Sequence, residues 1–141
     1  MDKEIEKFLN AWRSGEISPS PSAALIGTKI LNFENGSADI NLTLSEPHLN
    51  SSGTVQGGIL CSLADVAMGT AVFTKIEKGD RFTTTNLNAM FYQPATSGKL
   101  LAAARVVYPG KTLMHTECDI TADGRMVAKM SATFAIKKAG I

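Results

Sequence analysis

The stretch 56-QGGILCSLADVAMGTAVFTKI-76 decides how the rest of the chain is read. It opens on two glycines, is built of small and apolar side chains, and carries one acid, Asp65. A helix from about Gln56 to about Ile76 puts Ile59, Leu63, Val66 and Phe73 on one bulky stripe. Gly58, Ser62, Asp65 and Gly69 then form a second stripe of small or polar residues. A glycine inside a helix costs ~1 kcal/mol against alanine, so Gly58 and Gly69 imply close approach by another backbone or a ligand. A central carboxylate and so many small residues argue against a membrane span and for a buried core helix.

Outward from this helix the pattern changes character. Ile5, Phe8, Leu9 and Trp12 recur at helical spacing and predict a short amphipathic helix over about 2–14. Ser18–Pro21, reading SPSP, is expected to be a non-helical connector. Two strands follow around Ala23–Glu34 and Ser37–Leu44, joined by Asn35-Gly36, a strong hairpin signal. Pro47–Gly53 reads as loop. After Lys78-Gly79-Asp80 the period becomes two: Leu87, Ala89 and Phe91 alternate with Asn86, Asn88 and Tyr92 until Pro94. Further strands are expected at Leu100–Tyr108, Thr112–Thr121 and Arg125–Lys137, turning at Pro109-Gly110 and Asp123-Gly124. Five or so antiparallel strands and one central helix make an α+β fold, a curved sheet wrapped around that helix, in a single domain spanning 1–141.

Composition narrows the function classes. The 14 basic and 13 acidic side chains give a net charge of +1, so no electrostatic footprint points to nucleic acid or an anionic membrane. Cys61 and Cys118 are far apart and form neither a disulfide framework nor a zinc motif. The first residues, MDKEIEKFLNAWRSG, hold no apolar signal core, and a cytoplasmic location is expected. No metal or redox cofactor is expected.

The chemistry gathers on the central helix. First-turn N–H groups at Gly57-Gly58 have no intrahelical partner and sit at the positive end of the helix dipole, where an oxyanion is stabilised. Asp65 lies about two turns on, roughly 12 Å along the axis. A carboxylate and an oxyanion hole on one helix suit acyl transfer, with a substrate lying between them.

The run HLNSSGTVQGGILCSLADVAMG resembles the signature of hotdog-fold acyl-CoA thioesterases of the phenylacetic-acid-degradation type, whose pattern is H-x-N, G-T-V-H-G-G, then L-A-D. TTTNLNAMFYQPATSGKL is similar to that family's T-x-x-L-x-x-x-F-x-x-P strand, and VVYPGKTL to its strand and G-[RK] turn. The resemblance covers about residues 20–136. It implies Asp65 as general base or nucleophile, the Gly57 N–H, helped by Gly58, as oxyanion hole, and Asn50 orienting the thioester carbonyl or the water. Thr84 matches a hydroxyl that family dimers contribute from the second subunit, with Thr83 and Thr85 as rivals. Lys111, and more loosely Lys99, would meet the phosphates of coenzyme A, and His48 lies beside the site. One position departs: Gln56 stands where the family has histidine. Either that side chain only shapes the turn and glutamine serves, or an imidazole is needed and activity is low or the substrate different.

These residues imply hydrolysis of an aryl- or medium-chain acyl-CoA by a homodimer or homotetramer, a dimer of dimers, with sites at the subunit interface. CoA enters as part of the substrate, and the pocket is expected to be set by Met68, Phe73, Met90 and Tyr92 across two subunits. A non-catalytic acyl-CoA-binding or sensing module is the alternative that Gln56 keeps open. A hotdog dehydratase or hydratase ranks below both, because neither His48 nor His115 sits in the motif it needs. Gly110-Lys111-Thr112 imitates the end of a phosphate loop but lacks the earlier glycine, and no G-x-S-x-G elbow occurs.

Overall fold

The computed structural model describes residues 1–140. Helix α1 (Lys3–Arg13) begins where Asp2 Oδ1 accepts the N–H groups of Glu4 and Ile5, at 2.8 and 3.3 Å, and buries Ile5, Leu9 and Trp12. The next segment corrects the sequence reading. Residues expected as connector and strand contain a short helix, α2 (Pro21–Ile26), with Ser20 as its cap and Gly27 closing it at φ 94°. Serine followed by proline at the first helical position is a helix start, and that local signal outweighs the apolar run after it.

Strands β1 (Lys29–Glu34) and β2 (Ser37–Thr43) form the expected hairpin, with Gly36 at φ 90°. A 3₁₀ turn at Glu46–His48 leads to α3 (Gly57–Phe73). Four long strands follow: β3 (Arg81–Phe91), β4 (Lys99–Pro109), β5 (Leu113–Ala122) and β6 (Arg125–Lys137). The β5–β6 turn uses Asp123 and Gly124 at φ 50° and 77°, as a two-residue hairpin turn requires. At Gly110 a Cβ would stand 2.3 Å from the carbonyl oxygen of Leu113, so only glycine fits.

All six strands pair antiparallel in one sheet of order β1-β2-β4-β5-β6-β3, one for each segment expected to be strand. The sheet curves around α3, which packs against β2, β3, β4, β5 and β6, the expected hotdog arrangement. Leu63, Ala64, Ala67, Met68, Ala71 and Val72 of α3 are fully buried against Ile40, Leu100, Ile120 and Phe134 of the sheet. Thr74, just past the helix, ties its end to the first hairpin. Its Oγ1 accepts the Gly36 N–H and donates to the Ala71 carbonyl, both at 2.7 Å. The chain's start, middle and end meet at residues 77–80. Asp2 Oδ2 accepts the Lys78 N–H, and Asp80 accepts from Glu77, Lys138 and the Ala139 N–H.

Candidate active site

Asp65 projects from the middle of α3 toward the N-terminal half of β3. Thr84 Oγ1 donates to Asp65 Oδ1 at 2.8 Å, and no described residue donates to Oδ2. The carboxylate is half-buried, forms no ion pair among the described residues, and lines a cavity with Val66, Gly69 and Phe82. One carboxylate oxygen is therefore held in place and the other has no donor among the described residues. Thr84 reaches it from the same chain, a correction to the second-subunit origin that the resemblance implied. The cause is topological: β3 pairs with β6, Thr84 opposite Phe134, and this row of the curved sheet passes over the Asp65 turn.

The other half of the site is the start of α3. Gln56 is the N-cap in extended conformation (φ −65°, ψ 135°), and its side chain is exposed and makes no capping bond. No described residue accepts the N–H of Gly57 or Gly58. A Cβ at Gly57 would meet the Phe91 ring at 3.3 Å, so the ring packs on bare backbone there. At Gly58 a Cβ would meet nothing within 4 Å, so this glycine answers to no close neighbour in the chain. At Gly69 it would meet Phe82 at 3.4 Å, an ordinary contact. Eight residues of helix separate Gly57 from Asp65, about 12 Å of axis. One thioester carbon cannot touch both groups of the same helix.

The remaining candidates divide clearly. Asn50 builds its own loop: Oδ1 accepts from the Ser52 and Thr54 N–H groups at 2.9 and 3.1 Å, and Nδ2 donates to Thr54 Oγ1 at 2.9 Å. One amide proton is left for other use. His48 is engaged by its own fold rather than by a substrate site. Its Nδ1 accepts the Ser45 N–H at 3.0 Å, which leaves Nε2 to donate to the Ile26 carbonyl at 2.7 Å. Thr83 points to the exposed face of β3, and Thr85 sits in a bulge and donates to the Thr133 carbonyl, so neither rivals Thr84. Lys99 opens β4 and Lys111 follows its end, so some 30–35 Å of strand parts them and they do not meet one set of phosphates in a single chain. Met68 is fully buried in the core, and Met90 and Tyr92 are exposed at the sheet edge, so of the four expected pocket residues only Phe73 lines the cavity beside Asp65. The residues missed from sequence are Phe8, Trp12 and Pro19, which wall that cavity on one side; the helical spacing of Phe8 and Trp12 marks α1 as apolar on one face without saying what it covers.

Cys61, one turn before Asp65, has its thiol pushed up by burial and then by the Asp65 charge. Among the described residues no cluster of histidine, cysteine and acidic side chains has the makings of a metal site, and no helix is long and apolar enough to cross a membrane.

Residues 52–129 match the sequence model of the thioesterase superfamily. Human acyl-coenzyme A thioesterase 13 is 29% identical over 117 residues, 72% of this chain and 83% of that protein. Two solved structures share the fold closely. A phenylacetic acid degradation-related protein from Ralstonia eutropha JMP134 superposes with a TM-score of 0.81 at 30% identity, over 90% of this chain and 98% of that one. A thioesterase family protein from Silicibacter pomeroyi gives 0.83 at 25% identity, over 92% and 98%.

Proposed function

The chain belongs to the thioesterase superfamily, and from that premise we propose that it hydrolyses an aryl- or medium-chain acyl-CoA to a carboxylic acid and free CoA. The observation that carries this reading is Asp65 at the wall of an apolar cavity, clamped by Thr84 through Oδ1 and with no donor to Oδ2 among the described residues. Oδ2 removes a proton from water as it adds to the thioester carbon. The carbonyl oxygen becomes an oxyanion at a helix N-terminus, and collapse expels the CoA thiolate, which takes up a proton. Direct attack by the same oxygen, forming a mixed anhydride that water then opens, balances equally. In a single turnover in ¹⁸O-water, label recovered in Asp65 identifies an anhydride that water opens at the Asp65 carboxyl carbon, whereas label confined to the product acid fits direct hydration or opening at the acyl carbon.

The oxyanion donor is the Gly57 N–H of a second copy. The distance between Gly57 and Asp65 on one helix supports this, because two helices laid antiparallel bring each start beside the other's carboxylate. The edge of β3 supports it too. Beyond β6 it has no neighbour, and Met90, Phe91 and Tyr92 stand 61%, 52% and 53% exposed along it. The exposed amide of Gln56, at the same helix start, hydrogen-bonds the incoming substrate at the position where the family has histidine.

Purified protein is expected to release free thiol from acyl-CoA, and folded Asp65→Asn protein to lose at least ~10²-fold in kcat. Tight binding of acyl-CoA without thiol release would refute hydrolysis and leave a binding module.

A further inference from the structure

The cavity beside Asp65 measures about 310 Å³, and much of its wall comes from outside the segment that matches the superfamily. Phe8 and Trp12 of α1 and Pro19 of the connector face Val66 and Gly69 of α3. The aromatic wall is continuous: Phe8 meets Phe73 edge-on at 5.8 Å, and Phe73 meets Phe82 at 5.9 Å. The two hydroxyls in the lining are already engaged. Ser20 Oγ accepts the Ala23 N–H at 3.2 Å, and Thr70 Oγ1 donates to the Val66 carbonyl at 2.7 Å. No lysine, arginine or histidine lines it, so Asp65 is its one charged group.

A second hollow of about 640 Å³, mixed in character and lined by Arg13, Glu16, Lys29 and Lys99 among others, shares part of this wall. Trp12 and Pro19 border both spaces. The indole, 8% exposed, thus stands between an apolar space and a mixed one that carries Arg13, Glu16, Lys29 and Lys99.

We infer that α1 and the α1–α2 connector form the acyl-binding wall of this site, and that Trp12 sets the length of acyl group accepted. This rests on the acyl-CoA reading above and narrows it. The acyl group is uncharged and apolar, and at ~30 Å³ per carbon, the share of a liquid water molecule, it reaches about ten carbons. A dicarboxylic acyl group is refused, since Asp65 repels its far carboxylate and no cation answers it.

The chain has one tryptophan, so its emission reports the chamber directly. Titration with a non-hydrolysable decanoyl-CoA thioether is expected to shift or quench Trp12 emission, and the acetyl and succinyl thioethers to leave it unchanged. In turnover, kcat/KM should rise roughly fourfold per methylene up to about ten carbons and then level. Trp12→Ala and the milder Trp12→Leu open this wall and move that break out by two or more carbons. They raise the fourteen- to eight-carbon ratio at least ~10-fold. Circular dichroism and melting confirm that each variant is folded, and Trp12→Leu keeps the test alive where Trp12→Ala does not fold. An unmoved break in folded Trp12→Leu protein, or silent Trp12 emission with the decanoyl thioether, overturns the inference. Absence of thiol release from every acyl-CoA while the emission still responds refutes hydrolysis and leaves the acyl wall standing.

Discussion

Replacing Gly57 with proline removes one hydrogen atom from the proposed chemistry and little else. Gly57 is the first residue of α3, a position proline favours, because its missing N–H has no helical acceptor there and its ring pre-sets φ. Gln56, which would precede it, already has ψ 135°, the conformation that a following proline demands. The new Cβ stands 3.3 Å from the rim of Phe91, a half-exposed ring able to give a few tenths of an ångström. Stability should therefore change by less than about 1 kcal/mol in either direction. The loss of an oxyanion donor, by contrast, is worth ~2.7–4 kcal/mol, or 10²–10³ in kcat. Gly57→Ala is the matched control: it adds the same carbon against Phe91, keeps the N–H, and should stay within about threefold of the parent. Thiol release followed at saturating substrate, beside a thermal melt, reads both quantities. A folded Gly57→Pro enzyme with near-parental kcat would refute the oxyanion assignment. A further arm tests whether two copies share each site. If Asp65 works with Gly57 of its partner, mixing inactive Gly57→Pro and Asp65→Asn proteins rebuilds one intact site per hybrid dimer. Activity then returns to about a quarter of parental at equal mixing. Sites contained within one chain would stay silent.

Thr84→Val deletes the hydroxyl that holds Asp65 while keeping its shape. With hydrogen bonds to charged groups worth ~1.5–3 kcal/mol, kcat should fall at least ~10-fold with little change in KM. Thr84→Ser should recover most of that loss, and Thr83→Val, one residue away on the other face, should be silent. Thr74→Val strands the Gly36 N–H beside a side chain only 1% exposed, at a cost of ~1–3 kcal/mol, read as a fall in Tm of roughly 3–10 °C without effect on kcat. Asp80 is held below the ordinary carboxylate range chiefly by the Ala139 N–H, then by Glu77, and Asp2 by the Lys78 N–H. Their contribution is complete above the unfolded value of about 3.9 and disappears as pH falls through the lower folded values. Urea midpoints should therefore fall on acidification below about pH 4, and Asp80→Asn should weaken the protein at neutral pH and flatten that fall. Burial, reinforced by Asp119, pushes the Cys118 thiol up to about 12, so alkylation at pH 8 should leave it untouched until the protein unfolds.

The central helix, the hairpin turns and the last strand were legible because each rests on local chemistry: Gly57-Gly58, Asn35-Gly36 and Asp123-Gly124 declare their geometry within a few residues. Asp65 stood out because a carboxylate amid small apolar residues has few uses. The choice among three threonines was harder for a definite reason. Counting back by twos from Leu87 lands on Thr85 and Thr83, whereas the bulge at Thr85 shifts the phase and turns Thr84 inward. His48 shows the opposite hazard. A motif position beside the site proved to be a strut between the loop and α2, which no spacing reveals. The cavity wall was invisible for a third reason. Trp12 and Asp65 are 53 positions apart, and only the folded topology brings α1 over that part of α3. Short helix α2 is hidden because its apolar run resembles the strand that follows, and only the Ser20–Pro21 start signal marks it as helix.

The edge of β3 bears on the life of the newly made chain. Met90 and Phe91 lie on a long strand with one open edge, and Tyr92 follows them, a combination that can recruit foreign strands. If two copies pair along this edge as proposed, a paired chain hides this ribbon; one released faster than it finds a mate, or altered so that it cannot mate, exposes it to any other folding intermediate. Damage along that strand should thus surface as inclusion bodies and lost yield before it surfaces as slow turnover, and charged gatekeepers at Met90 or Tyr92 should restore solubility while abolishing catalysis.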